Sequence, residues 1–512
     1  MKIRLAILGL LMLTVWGVSA QTPPRVYYSE ANKDDTRRTD FEIVGKLGAN
    51  FLIYKNNRSS HVIDVYDNEM HVVKTVNLDV FPEKIISINY VTYSDRIVFF
   101  YEYQKRRNVF LDCIEVGPDG KYLRKAQTLD STEVSMFSNN KIYSVINSDD
   151  KQKILLFKVN SSDSHKFLIT SFLYNSKLEL ITRNQSEVKM GDKDDYFSDF
   201  HLSNAGELVV AKFIKAGNSE YISGVTMMIK YPDSLNFSIR DVNIGKMILD
   251  NIMLKVDNTN NRVLLASFYS KQKRGNMEGI YVVDWDKPTN KKQMDTAIYF
   301  NDELRTMAKD AEGNKKTAFN NFFIKNIYSR KDGGFAIVSE ALYTSSRYNS
   351  FNRWDYGGYG SPWGSPMNYG YWSPVSNPWG MPWGGYGYNN NTQTRYYADN
   401  VMILSFDSTA KMQWSNVISK SQFDDESDNL ISYGNFITGG EVHFLFNTFE
   451  RRTYVLTDQS LDPSGKITRY PTLKNLDKGY DFLPRFAKQV SARQLIIPCF
   501  FRNYLCFARV DF

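Results

Sequence analysis

Residues 88–128 read INYVTYSDRIVFFYEYQKRRNVFLDCIEVGPDGKYLRKAQT. The apolar run 96–101 is short and rich in β-branched and aromatic residues, as suits a strand half buried between layers. Similar runs over 88–93, 109–116 and 122–128 flank it, and Pro118-Asp119-Gly120-Lys121 turns the third run into the fourth. Asp and Gly favour tight reversals through side-chain to backbone hydrogen bonds and tolerance of positive φ. The stretch predicts four consecutive antiparallel strands.

This unit recurs roughly every 50 residues, a spacing typical of repeat architectures. Its second strand can be read at 51–54, 96–101, 154–159, 207–213, 262–268, 334–339, 441–446 and 494–500. The turn recurs as Asp67-Asn68-Glu69, Asn175-Ser176-Lys177, Asp407-Ser408-Thr409-Ala410-Lys411 and Asp462-Pro463-Ser464-Gly465-Lys466. Helical periodicity is scarce. Four-stranded antiparallel units at this period point to an all-β fold, a β-propeller over 40–512, with eight blades expected and seven the alternative. Within residues 21–39, Val26 to Tyr28 are expected to supply the outer strand of the last blade. A pair of β-sandwiches is the rival architecture. The pattern resembles secreted bacterial β-propellers over nearly the whole mature chain, without a WD series, a kelch pattern or a sialidase-type Asp box. The resemblance implies a fold and leaves function open.

Lys2 and Arg4 precede an apolar run from Leu5 to about Val18, and Val18-Ser19-Ala20 supplies small residues before Gln21. Residues 1–20 therefore read as a cleaved signal peptide, too short and wrongly flanked for a membrane span. The protein is expected to be exported, to the periplasm, the outer membrane or the exterior. No Cys follows the cleavage site, which argues against a lipid anchor, and no transmembrane span is expected in the mature chain. The formal charge of +7 falls by two with Lys2 and Arg4. Export and that mild charge argue against a nucleic-acid partner.

Three cysteines remain, at 113, 499 and 506. If Arg502-Asn503 tips the final hairpin, Cys499 and Cys506 fall directly opposite, within disulfide reach in an oxidising compartment. Two buried thiols are the alternative, and Cys113 is expected in the core.

Residues 347–397 interrupt the sixth unit with a Gly-, Pro-, Tyr- and Trp-rich insertion. It holds five of the eight tryptophans, Trp354, Trp363, Trp372, Trp379 and Trp383, together with Tyr371. Its Pro and Gly density opposes helix or central strand. Its aromatic content exceeds that of a solvated linker. It reads as an aromatic lid, a partner contact or a sticky loop without a target, and large apolar patches favour the contact. The loops between second and third strands also carry cations, among them Arg106, Arg107, Lys273, Arg274, Arg451 and Arg452. The opposite loops collect aspartates that tight turns prefer. Charged tips also simply guard against edge pairing.

The chain has no G-x-S-x-G, H-E-x-x-H, P-loop or C-x-x-C pattern. His61 and His443 read as packed side chains, Asp192-Lys193-Asp194-Asp195 as a solvated loop, and Asp284-Trp285-Asp286 as a strand-to-turn feature without an obvious partner. No catalytic residue, metal ligand or cofactor is assigned. The expected function is an envelope binding or scaffold module that contacts a protein, or an anionic glycan or lipid surface, through the basic face and aromatic loop. The alternatives are a hydrolase or lyase with its site in the central channel, marked by several His, Asp or Glu residues from separate first strands at the channel mouth, and a carbohydrate-binding protein.

Overall fold

The computed structural model describes residues 24–31, 39–57, 60–134, 141–163, 166–190, 195–198, 200–215, 221–273, 275–309, 313–346, 394–425, 429–450, 453–473, 479–501 and 504–512. The fold is all-β and propeller-like, built from antiparallel meanders. The first six occupy 40–77, 87–133, 143–189, 195–242, 248–299 and 322–424, the seventh 433–469 and the last 480–511. The fourth and fifth are joined into one nine-stranded sheet by the single pair Ile222↔Leu249. Arg25–Tyr28 lies antiparallel to Tyr504–Asp511, with Val26 opposite Val510. Among the described residues, Asp302–Met307 is the one α-helix, capped by the Asn301 side chain.

Each expected second strand overlaps an observed one, from Asn50–Asn56 in the first meander to Gln494–Phe501 in the last, with Arg96, Glu207 and Gly334 one residue before Ile97–Lys105, Leu208–Lys215 and Phe335–Ser346. The fourth strand of the second meander begins later than 122, at Gln127. Leu123 N–H first bonds Glu115 C=O and Tyr122 bridges Val116, completing the reversal before the ladder resumes. In the sixth meander the third strand begins at Thr394, so the final residues of 347–397 extend a hairpin against Tyr343–Ser346.

The recurring turn has one geometry. Asp67, Asn175, Asp407 and Asp462 each accept, on Oδ1, the backbone N–H groups two and four residues ahead. The residue three ahead takes positive φ in every case: Met70, Leu178, Ala410 and Gly465. Turns between third and fourth strands dock on the outer strand of the preceding meander. Asn184 donates to Pro232 C=O at 3.1 Å, Ser186 to Leu235 C=O at 2.7 Å and Trp414 to Pro463 C=O at 3.2 Å. The sequence repeat thus reappears as a contact between neighbours.

Burial falls from inner to outer strands. His61–Tyr66 is buried throughout, whereas Val72–Asn77 alternates exposed and half-buried positions. Apolar clusters fill each interface between consecutive meanders, and one containing Phe41, Ile53, Ile496 and Phe507 joins the last to the first. Buried polar groups cross the same interfaces. Glu102 Oε1 accepts from Ile142 N–H at 2.6 Å, Glu340 from the Ser432 hydroxyl at 2.6 Å, and Asn447 donates to Phe482 C=O at 2.8 Å. Buried groups of this kind need partners, and here the partners lie on the next meander.

Candidate functional site

Hydrogen bonds bridge neighbouring meanders at one end of their first strands. Thr92 Oγ1 donates to Val44 C=O at 2.7 Å, Lys151 Nζ to Thr92 C=O at 2.8 Å, and Asn204 N–H to Asn258 Oδ1 at 2.9 Å. Asn260 bonds Arg330 C=O at 2.9 Å, and Gln489 exchanges two hydrogen bonds with the Ile437 backbone. These contacts run around the ends where first strands turn into second strands.

At that end lies a cavity of about 580 Å³, within the size range of small-molecule sites. The first strands of the first three meanders and Lys488–Ser491 of the last supply its walls. Val44, Val91, Val145 and Val490 give it apolar surface, and Asn89, Tyr90, Asn147, Lys46, Lys151 and Lys488 give it polar groups. A bulge displaces Ile43/Gly45 in the first wall. A Cβ on Gly45 would stand 3.0 Å from Thr92 Cγ2, and the φ there is +147°. Glycine lets the two walls approach.

One wall carries a fixed triad. Tyr90 O–H donates to Glu42 Oε1 and Lys488 Nζ donates to the Tyr90 oxygen. Lys488 Nζ lies 3.4 Å from Val44 C=O and 3.8 Å from Glu42 Oε1. Burial raises the Glu42 carboxyl and the Tyr90 phenol above their ordinary pKa ranges and lowers the Lys488 amine. Lys488 keeps 35% of its side-chain surface, but Val44 and Glu42 of the first meander and Tyr90 of the second crowd its amine and displace water from it. In the fourth meander, His201 is pushed down to about 4 by burial and by Lys255. Titratable groups from several first strands therefore gather at this end.

Arg106, Arg107 and Lys273 are exposed at the opposite ends of the second strands, away from the cavity. Arg274, Arg451, Arg452, Trp354, Trp363, Tyr371, Trp372, Trp379 and Trp383 lie outside the described residues, as do the leader and residues 191–194. Cys499 and Cys506 are cross-strand partners, fully buried, with Sγ atoms 3.0 Å apart and unbonded. Cys113 is buried in the core. His61 and His443 are packed, His61 against Tyr54 O–H at 2.6 Å and His443 against Asp458 at 3.0 Å. Asp284 does have a partner: Arg262 Nη1 reaches its Oδ2 at 2.7 Å from a strand 22 residues away, a separation that local alternation does not reveal. The acidic turn residues are occupied by their own turns, as with Asp407 and Asp462.

Sequence reasoning missed Lys46, Tyr90, Lys151 and Lys488. Their signal was a lysine or tyrosine on or just after a first strand, where neighbouring first strands are largely apolar.

No protein-family model matches the chain, and no curated protein matches it by sequence. Among solved structures, it is similar to prolyl oligopeptidase B from Galerina marginata at 7% identity and a TM-score of 0.42, covering 91% of this chain and 56% of that one. It is similar to a PL25 ulvan lyase at 9% identity and a TM-score of 0.36, covering 82% and 90%. It is also similar to the dihydro-heme d1 dehydrogenase NirN at 10% identity and a TM-score of 0.37, covering 93% and 70%. These are propeller-type folds. The chain spans little more than half the length of the prolyl oligopeptidases. Among the described residues, no helix is long and apolar enough to cross a membrane.

Proposed function

We propose that the chain is an eight-bladed propeller, exported to the cell envelope, that acts as a recognition module and holds a polar ligand in the cavity at the centre of its ring. The single observation carrying this reading is that cavity, whose walls come from the first strands of four different meanders. A site assembled from several rigid elements holds its geometry better than one on loops. Interface clusters that run from the last meander back to the first support a closed ring of eight, with Arg25–Tyr28 completing the last blade. The basic loops and the aromatic insertion are the proposed contacts with an envelope protein or an anionic glycan or lipid surface.

A photo-crosslinker at Ser94, which is exposed and lines the cavity, should capture the ligand in cells. The same group at Trp372 or Arg106 reports on the other end. Capture at 372 or 106 with nothing at 94 would move recognition away from the cavity and sink this reading.

A hydrolase or lyase is the second reading, favoured by Glu42, Tyr90 and Lys488 converging from three separate meanders. Turnover of a polysaccharide panel that is lost in Tyr90→Phe, with binding kept, would replace recognition by catalysis.

A further inference from the structure

Three ammonium groups and two carboxylates surround the cavity, and they do not cancel locally. Lys488 is matched by Glu42 at 3.8 Å. Lys46 Nζ donates to the neutral Gln494 Oε1 at 2.8 Å, and Lys151 Nζ to Thr92 C=O at 2.8 Å. Neither has a carboxylate within ion-pair range among the described residues. Asp150, at the rim, is engaged by the Ser148 hydroxyl at 2.6 Å and Gln152 N–H at 3.0 Å. Lys151 takes a left-handed φ of 57° in its turn, held there by Lys151 N–H to Ser148 C=O at 2.9 Å and by Tyr93 O–H to Lys151 C=O at 3.0 Å. Those bonds set the backbone, and the Thr92 carbonyl holds the exposed ammonium beside the cavity that Lys151 lines.

Asn89 is the second, independent observation. It lines the cavity and is only 6% exposed. Its side-chain amide is not among the fully buried polar atoms left without a partner, so it is open to the cavity. A ligand hydroxyl or carboxylate oxygen would satisfy it. Cations matched only by neutral acceptors, in a concave site with low-dielectric walls, focus a positive potential on whatever enters.

We propose that the cavity is an oxyanion site for a hydroxyl-rich ligand, one bearing a carboxylate or a phosphate ester, in which Lys151 and Lys46 supply the charge and Asn89 reads a neighbouring oxygen. The inference rests on the reading of this cavity as the ligand site. Lys488 positions the wall through Tyr90 and Glu42, and the valines pack the apolar face of the ligand.

The test is calorimetric titration of the full mature chain with D-glucuronate, glucose 6-phosphate and glucose at matched ionic strength. The two anions separate a carboxylate from a phosphate requirement. At least one should bind tenfold or more tightly than glucose. Lys151→Met should weaken that anion at least tenfold, Lys151→Arg should retain it, and Lys125→Met, an exposed lysine elsewhere, should change nothing. Asn89→Ala should weaken it severalfold, with a thermal transition recorded alongside to exclude unfolding. Glucose binding as tightly as both anions would overturn the oxyanion site while leaving a ligand cavity standing. Indifference to Lys151→Met would overturn it as well. If none of the probes binds, the charge of the species captured from position 94 decides: a neutral ligand overturns the oxyanion site, and no captured ligand overturns the cavity reading with it.

Discussion

Glu102 has no exposed surface, yet it bridges two meanders, accepting from Ser87 at 2.8 Å and Ile142 N–H at 2.6 Å. Burial pushes its carboxyl from 4.5 up to about 7. The folded value lies above the unfolded one, so its stabilising share is complete below about pH 4.5 and is lost as pH rises through about 7. That difference is on the order of 3 kcal/mol. Glu102→Gln keeps the acceptor and removes the charge. Denaturant unfolding should therefore find the variant gaining on the wild type between pH 5 and pH 8, and parallel pH profiles would refute this. Lys420 and Glu340 are a second buried device, both without exposed surface and 2.7 Å apart. Lys420→Met should cost about 3–5 kcal/mol, because it leaves the buried Glu340 carboxylate with only the Ser432 hydroxyl and the more distant Lys325 ammonium at 3.9 Å. Adding Glu340→Leu should recover part of that loss in a double-mutant cycle, and strict additivity would show that the two groups are uncoupled. Cys499 and Cys506 were placed opposite each other by the sequence reading, and they are opposite. Their oxidation remains a proposal, checked by the intact mass of exported protein before and after reduction.

At the scale of the element, the recurring turn explains why the meanders were legible. An Asp or Asn that accepts two N–H groups and a left-handed residue three places on are local features, set by neighbours in the chain. What surrounds each copy is not local. Ala410 tolerates φ of 57°, but Gly465 has φ of +90° and its added Cβ would lie 2.7 Å from the Trp414 ring of the previous meander. Gly465→Ala should therefore cost at least about 1–2 kcal/mol, the usual penalty for a left-handed residue with a Cβ. Urea unfolding measures it, and a loss below about 0.5 kcal/mol would mean that Trp414 moves aside freely. The fourth strand of the second meander marks the limit of local reading. Tyr122 and Leu123 have strand-like side chains, but the backbone there completes a reversal before pairing resumes at Gln127.

At the scale of the molecule, Arg25–Tyr28 covers the edge of the last strand, and Ser29 adds bonds to Phe507 at 2.8 and 3.0 Å. An uncovered edge is a template for pairing with another chain. Removing residues 24–31 should lower the thermal transition and cause association visible by light scattering, and a peptide of that sequence added in trans should reverse both. An unchanged transition in the truncated chain would show that the fold does not depend on this strand. The sequence by itself determined the strands, their turns, the four-strand unit and the packed roles of His61, His443 and Cys113, because alternation, apolar runs and turn residues act over a few neighbours. Only the tertiary structure decided where chemistry can gather. Tyr90 is 48 residues from Glu42 and 398 from Lys488, and Asn89 lines a cavity that exists only because neighbouring meanders close around it. Such convergence depends on how whole meanders sit beside one another, and no local pattern of residues carries that information.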